Sequence, residues 1–329
     1  MSIPQSAATG SLVVLMPVFN DWESVALLVP RLDAALRQCA PESRIVLVDD
    51  ASTEPPPNRL IDGPLENIRS VDVVRLARNL GHQRAIAIGL AYIHETAPCR
   101  AVVVMDADGE DRPEDVSALV EALGQQQDRR IVFGARARRM EGLTFRVFYH
   151  LYRALHRIVT GVPVRVGNFS VVPSCALRRL MVVWELWNHY AAAVIHSGLP
   201  YSTIPLSRAT RLRGHSRMRF SGLVMHGWSA LSVFGEVVSV RLLLAALSLA
   251  VVAAAVITVA LYAHLRAGMA VPGWVTLAAA CLLIVVSQAV LTAGLLGFVL
   301  IGDRSSASFL PVRDARFFIL ETVRVFPNP

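Results

Sequence analysis

The chain of 329 residues predicts an open, mainly parallel α/β sheet followed by two membrane-spanning helices, and three observations carry that prediction. Short apolar runs alternate with helix-like stretches through residues 1–215. Apolar residues then accumulate after Arg241 in two long, uncharged segments. Arginine gathers on the outer flanks of those segments and almost vanishes between them.

The β-type runs are Leu12–Pro17, Arg44–Val48, Val71–Leu76, Ala101–Met105 and Ile131–Phe133. Helix-like stretches between them include Ser24–Gln38, His82–His94 and Pro113–Gln125. Parallel strands need long crossover connections, which these stretches supply. Ligands of such sheets bind beyond the carboxyl ends of the strands, so informative side chains are expected just after each run. The first run is short, broken by Pro17 and not preceded by a basic segment. It is expected to be a strand and not a secretory signal.

The segments Leu242–Leu265 and Trp274–Ile301 each exceed the roughly 20 residues that a spanning helix needs. Neither carries a formal charge, although His264 lies at one end and Gln288 inside. Arg208, Arg211, Arg213, Arg217, Arg219 and Arg241 precede the first span; Arg304, Arg313, Arg316 and Arg324 follow the second; the loop has only Arg266. The positive-inside rule then puts the sheet domain (1–215) and both termini in the cytoplasm, with an external loop inside 242–301 and a cytoplasmic tail at 302–329. The localisation expected is a plasma or inner membrane, crossed twice.

Two further stretches have apolar residues at helical spacing: Thr144–Val159, and Phe220–Phe234 within a juxtamembrane segment 216–241. Either they face a core, or they lie in the membrane interface with Arg reaching lipid phosphates. Proximity to the spans favours the interface for Phe220–Phe234.

Net charge is +7, and all 32 basic residues are Arg. Chemistry that needs a Lys amine is therefore excluded, while bidentate phosphate binding is well served. The basic residues sit beside membrane segments without a nucleic-acid reader motif, so lipid phosphate is the expected partner and nucleic acid is not. Cys39, Cys99, Cys175 and Cys281 are scattered, without the spacing of a zinc site or disulfide framework.

In VVVMDADGEDRPED, Asp106 and Asp108 follow an apolar run. Carboxylates at i and i+2 of extended chain point to one side and repel unless a cation neutralises them. Hard oxygen ligands suit Mg²⁺ or Mn²⁺ bridging a diphosphate. The competing assignment is a helix cap, for which Asp111, just before Arg112 and Pro113, is better placed. A phosphatase-type DxDG is disfavoured, since that motif sits on a first strand with a later Lys. Other strand ends carry MPVFND (Met16–Asp21), VDDAS (Val48–Ser52) and ARNLGHQRA (Ala77–Ala85, with Arg78, Asn79 and Gly81).

The ordered series PVFND, VDDAS, RNLG, DADGED, GAR (Gly134–Arg136) and RLRGHSR (Arg211–Arg217) resembles glycosyltransferase family 2. Within that family it is similar to the dolichol- and polyprenyl-phosphate glycosyltransferases, including a bacterial branch with two C-terminal spans. The resemblance implies a GT-A fold, Rossmann-like with a mainly parallel sheet, and a nucleotide-sugar donor. It also implies a polyprenyl-phosphate acceptor, a Mg²⁺ or Mn²⁺ cofactor and association with further copies of the chain. Pro17, Phe19 and Asp21 are implied to line the base pocket, with Asp49 or Asp50 on the nucleoside. Asp106 and Asp108 are implied to hold metal and diphosphate, with Glu110, where the family usually has Gln, as an added anionic ligand. Arg136 is implied to neutralise phosphate, and Arg211 and Arg217 to clamp donor diphosphate or acceptor phosphate; simple juxtamembrane charge is the alternative for the last two. In VGNFSVVPS, Asn168 replaces an Asp to which the bacterial branch assigns the base role. Either the base lies elsewhere, the protein is inactive, or the acceptor needs no strong base. A phosphate monoester is already largely a dianion at neutral pH, which favours the last over a glycan hydroxyl acceptor.

Overall fold

The computed structural model describes residues 11–57, 60–61, 63–136, 154, 156–162, 166–207, 209–213, 220–267, 273–305 and 309–327. The chain separates into two compact units, one of Met1–Phe145, Val164–Val233 and Phe309–Pro329, the other of Arg146–Pro163 and Phe234–Ser308.

The first unit is built on one eight-stranded sheet. Its strands are β1 (Leu12–Val18), β2 (Ser43–Asp49), β3 (Ile68–Leu76), β4 (Ala101–Val104), β5 (Ile131–Arg136), β6 (Val166–Pro173), β7 (Tyr201–Leu206) and β8 (Ile319–Phe326), in the order β7-β5-β6-β4-β1-β2-β3-β8. The pairs β1–β2, β1–β4, β2–β3 and β5–β7 are parallel, whereas β6 runs antiparallel to β4 and β5, and β8 to β3. All seven residues of β1 are buried, as an apolar run covered on both faces must be. One face packs under α2 (His82–Thr96); the other packs under α1 (Trp22–Leu36) and α3 (Val116–Gln125). Gly89 lets α2 lie close to the sheet, because a Cβ there would collide with the side chains of Leu15 and Val48.

The five predicted strands are all present, and so is the expected mainly parallel sheet. Three strands were not among those predicted. β6 opens with Gly167 and Asn168, which break its alternation. β7 contains Pro205 but lies at the sheet edge, where a missing donor costs no ladder bond. β8, in the expected tail, is an edge strand whose charges pair across to β3: Arg75 with Glu321 at 2.6 Å and Arg324 with Asp72 at 2.8 Å. Pro17 lies past the end of the β1–β4 pairing, opposite Val48 of β2.

In the second unit, two helices of 33 residues each, Gly235–Ala267 and Gly273–Ser305, run against one another. At 1.5 Å per residue each is roughly 50 Å long, enough to cross a hydrocarbon core of about 30 Å. Their most apolar stretches are only 11% and 6% buried in protein. Residues 156–160 are helical, and the carbonyl of Ile158 accepts a 2.8 Å bond from Arg241. Most of the predicted Thr144–Val159 stretch lies outside the described residues. The helix Phe220–Ser232, in the first unit, exposes Met225 and Trp228.

Candidate active site

Because β1, β2, β3 and β4 are parallel, their carboxyl ends share one sheet edge, and the residues that follow them meet there. Two stretches of extended backbone turn sharply at this edge. Asn20 adopts φ 57° after β1 and Ala51 adopts φ 56° after β2. Asn20 stitches these two turns together. Its backbone N–H donates to Ser52 Oγ at 2.9 Å, its amide donates to Thr53 Oγ1 at 2.9 Å, and its Oδ1 accepts from the Glu54 N–H at 3.0 Å. Phe19, beside Asn20, is 36% exposed.

Asp49 and Asp50 are both buried and engaged internally. Asp49 accepts from the Ser52 N–H at 2.8 Å and lies 3.5 Å from Arg75. Asp50 accepts from the N–H groups of Leu80 and Gly81 at 2.7 and 2.8 Å, fixing the loop that enters α2. Burial pushes its carboxyl upward, against the opposing pull of those two donors.

The loop after β4 carries Asp106 and Asp108, whose side chains are 20% and 16% exposed. Asp108 Oδ1 accepts from the Glu110 N–H at 3.0 Å, an Asx-type turn. Arg112, and not Asp111, holds the N-cap position of the turn that opens the following helix. That helix enters through Arg112 without a side-chain cap, and Asp111 Oδ2 instead accepts from the Asp106 N–H at 3.0 Å. Gly109, at φ +82°, is the pivot of this loop, and a Cβ there would strike the Leu212 side chain.

The segment that carries Arg211 is clipped onto the same loop. The Leu212 and Ala209 N–H groups donate to the carbonyls of Asp108 and Glu110 at 3.0 and 2.9 Å. Arg211 then spans two strand ends, reaching Asp21 Oδ1 at 2.7 Å and Asp108 Oδ2 at 3.3 Å. Asp21, Asp108 and Arg211, far apart in the chain, thus form one charge-assisted cluster. The backbone of Arg136 ends β5 beside Leu206, but its side chain, like Gly214, Ser216 and Arg217, lies outside the described residues.

On the other side of Asp106 stands a group that the sequence did not single out. His82 Nε2 lies 3.0 Å from Asp106 Oδ1 and 2.9 Å from Asn168 Nδ2. Partial burial opposes a charge on this ring, but the carboxylates of Asp106, Asp108 and Asp111 prevail and hold its pKa above the ordinary histidine value. Gln83 Nε2 donates to Asn168 Oδ1 at 3.2 Å. Asp106, Glu110, Asp111, Arg112, Gly134, Asn168, Phe169 and Ser207 line a cleft next to the aspartate pair.

The donor set suits a hard divalent cation. Asp106 and Asp108 offer carboxylate oxygens alone, both reachable by solvent. Among the described residues no three His, Cys, Asp or Glu converge into a ready-made cage. A cation there would complete its shell with diphosphate oxygens and water, as Mg²⁺ commonly does.

Residues 13–187 match the sequence profile described as Glycosyl transferase family 2. An undecaprenyl-phosphate 4-deoxy-4-formamido-L-arabinose transferase of Pectobacterium carotovorum is 29% identical over 61% of this chain and 56% of its own. The enzyme of that name from Pseudomonas fluorescens is 38% identical over 34% of this chain and 32% of its own. A dodecaprenyl-phosphate galacturonate synthase of Rhizobium johnstonii is 31% identical over 41% of this chain and 38% of its own. The chain thus spans about half the length of these relatives, or less. Among solved structures, glucosyl-3-phosphoglycerate synthase of Mycobacterium tuberculosis superposes with a TM-score of 0.48 at 17% identity, over 71% of this chain and 80% of that one.

Proposed function

The chain belongs to glycosyl transferase family 2, and from that premise we propose that it moves a sugar from a nucleotide-sugar donor to a polyprenyl phosphate at the cytoplasmic face of a membrane. The observation that carries this reading is the convergence of Asp21, Asp108 and Arg211 at the carboxyl edge of the sheet. Such a cluster can hold a nucleoside, a metal-bound diphosphate and its charge in one place. Phe19 stacks on the base, and Asp21 accepts from the nucleoside. Asp106 and Asp108, with Glu110 beside them, hold Mg²⁺ or Mn²⁺, which when bound offsets charge on the diphosphate. Arg136, Arg211 and Arg217 supply further positive charge to the leaving group.

The acceptor phosphate oxygen attacks the anomeric carbon from the face opposite the nucleotide. The new C–O bond forms as the bond to the nucleoside diphosphate breaks, the electron pair departs on the diphosphate, and configuration inverts. No proton need be removed, since the second pKa of a phosphate monoester is about 6. A glycan hydroxyl would need a base, and the amide of Asn168 cannot serve as one.

Two features support the membrane side of the proposal. The long helices are apolar yet barely buried in protein, as lipid-facing spans would be. The chain also enters and leaves the helical pair from one sheet, because β8, which follows it, pairs with β3, which precedes it. Two crossings return the chain to its starting side, and the flanking arginines favour the cytoplasm as that side. Incubating the full-length protein with polyprenyl phosphate, a panel of nucleotide sugars and Mg²⁺ or Mn²⁺ tests the reading. A lipid-linked sugar, identified by mass and lost in Asp108→Ala, is the expected product; sugar transferred only to a glycan would refute it.

A further inference from the structure

We infer that Asn168 is a hydrogen-bond donor to the acceptor's phosphate oxygens, and that Gln83 is the positioning residue that aims it. This rests on the polyprenyl-phosphate reading and assigns that acceptor its contact in the cleft.

The orientation of the Asn168 amide follows from a chain of bonds that begins at a backbone group with only one role. The Tyr190 N–H can only donate, and it donates to Gln83 Oε1 at 2.7 Å. The other end of Gln83 is therefore its NH₂, which donates to Asn168 Oδ1 at 3.2 Å. Asn168 must then turn its own NH₂ away from Gln83, toward His82. The Asn168 backbone is gripped as well, since Ser170 Oγ donates to its carbonyl at 2.9 Å and contacts the buried Tyr190 hydroxyl at 2.7 Å. Gln83 and Tyr190 are both buried, so this scaffold is shielded from water.

The NH₂ of Asn168 meets a partner with conflicting obligations. One ring nitrogen of His82, Nε2, lies within hydrogen-bond distance of both Asn168 Nδ2 and Asp106 Oδ1. It cannot accept from the amide while donating to the carboxylate. When it donates to Asp106 it no longer accepts from Asn168, a residue that lines the cleft. An oxyanion entering that cleft resolves the conflict. Ser207 and Arg112 line the same cleft.

Charge explains why an amide suits this position. Asp106, Glu110 and Asp111 already line the cleft. An Asp at position 168 would add a fourth carboxylate, directly against an incoming phosphate dianion. Asn keeps the shape and the bond to Gln83, removes that charge and replaces an acceptor with a donor.

Two near-isosteric substitutions test the inference in full-length protein in detergent micelles. The probes are a short-chain polyprenyl monophosphate, the matching unphosphorylated polyprenol, and a nucleoside diphosphate with Mn²⁺. Asn168→Asp should weaken polyprenyl monophosphate binding at least ~10-fold, as expected for one added like charge nearby, with polyprenol and nucleotide binding changed less than about twofold. Gln83→Glu should reproduce the effect from a distance. Its carboxylate still accepts from the Tyr190 N–H but now also accepts from Asn168, which flips the amide and turns Oδ1 to the cleft. In turnover this should appear as a rise in acceptor KM at nearly constant donor KM. Equal or tighter monophosphate binding by Asn168→Asp, or an unchanged acceptor KM in Gln83→Glu with nucleotide binding intact, would overturn the inference. Wild-type protein that binds the monophosphate in this pattern but forms no lipid-linked sugar would leave the contact standing and sink the proposed reaction instead.

Discussion

The two halves of the cleft at the sheet edge handle charge in opposite ways. On the half proposed for the donor, a single guanidinium, that of Arg211, bridges the carboxylates of Asp21 and Asp108. On the half proposed for the acceptor, Gln83, Asn168 and His82 form a chain of polar contacts leading to Asp106, with one ring nitrogen in reach of two partners. The donor half is thus organised by ion pairs that a metal–diphosphate would replace, and the acceptor half by oriented amides that an oxyanion would complete. Binding is expected to be ordered accordingly, with the donor complex displacing Arg211 from its aspartates.

That contrast can be broken most severely at Asp108. Asp108→Ala should lower kcat/KM by about 10³-fold, since it removes both a proposed metal ligand and a partner of Arg211. Mn²⁺ titration of the variant with and without nucleotide checks whether metal binding is what is lost. Arg211→Ala should cost about 10²-fold in kcat, the scale of removing one charged contact to a leaving group. Metal binding without nucleotide should tighten in that variant, because Asp21 and Asp108 lose their guanidinium; weaker metal binding would contradict the assignment. Phe19→Ala should raise donor KM about 10-fold, in line with the ~1–3 kcal/mol of a base–aromatic stack, while acceptor KM stays put. The smallest effect is chemical. Burial pushes the Cys99 thiol up to about 11, so at pH 8 an alkylating reagent should modify exposed Cys175 and spare Cys99. Peptide mass mapping reads this directly.

The donor half was legible in the sequence because its residues follow uninterrupted apolar runs, and a parallel sheet brings such positions together. Strand periodicity marked Asp106 and Asp108 as a pair at a strand end, whereas the role expected of Asp21 came from the family resemblance. The long helices were equally legible, since uncharged stretches of that length have few other destinations. The acceptor half was not. Gln83 meets the Tyr190 backbone across more than a hundred residues, and His82 reads locally as the first residue of an ordinary amphipathic helix. β6 was hidden because Gly167 and Asn168 interrupt its alternation, and β8 because charged side chains suit an edge strand but dilute its pattern.

Asp50 shows a subtler gap between pattern and role. A carboxylate after a strand suggests a ligand contact, yet both of its oxygens hold the Leu80–Gly81 backbone. Asp50→Ala should therefore act on stability, by about 3 kcal/mol for two buried N–H groups left without partners. A thermal melt would show this, with donor KM in the surviving folded fraction nearly unchanged. Should donor KM rise steeply while the melt stays put, Asp50 contacts the nucleoside after all.

The central claim is that one cleft joins a metal-bound nucleotide sugar to a lipid phosphate. Its most direct measurement is mass analysis of the lipid fraction after full-length protein in lipid nanodiscs meets polyprenyl phosphate, nucleotide sugars and Mg²⁺ or Mn²⁺. A glycosylated polyprenyl phosphate that forms only with metal and disappears in Asp108→Ala is the predicted result. Donor consumption without any lipid-linked sugar, or lipid product made equally well by Asp108→Ala, would contradict it.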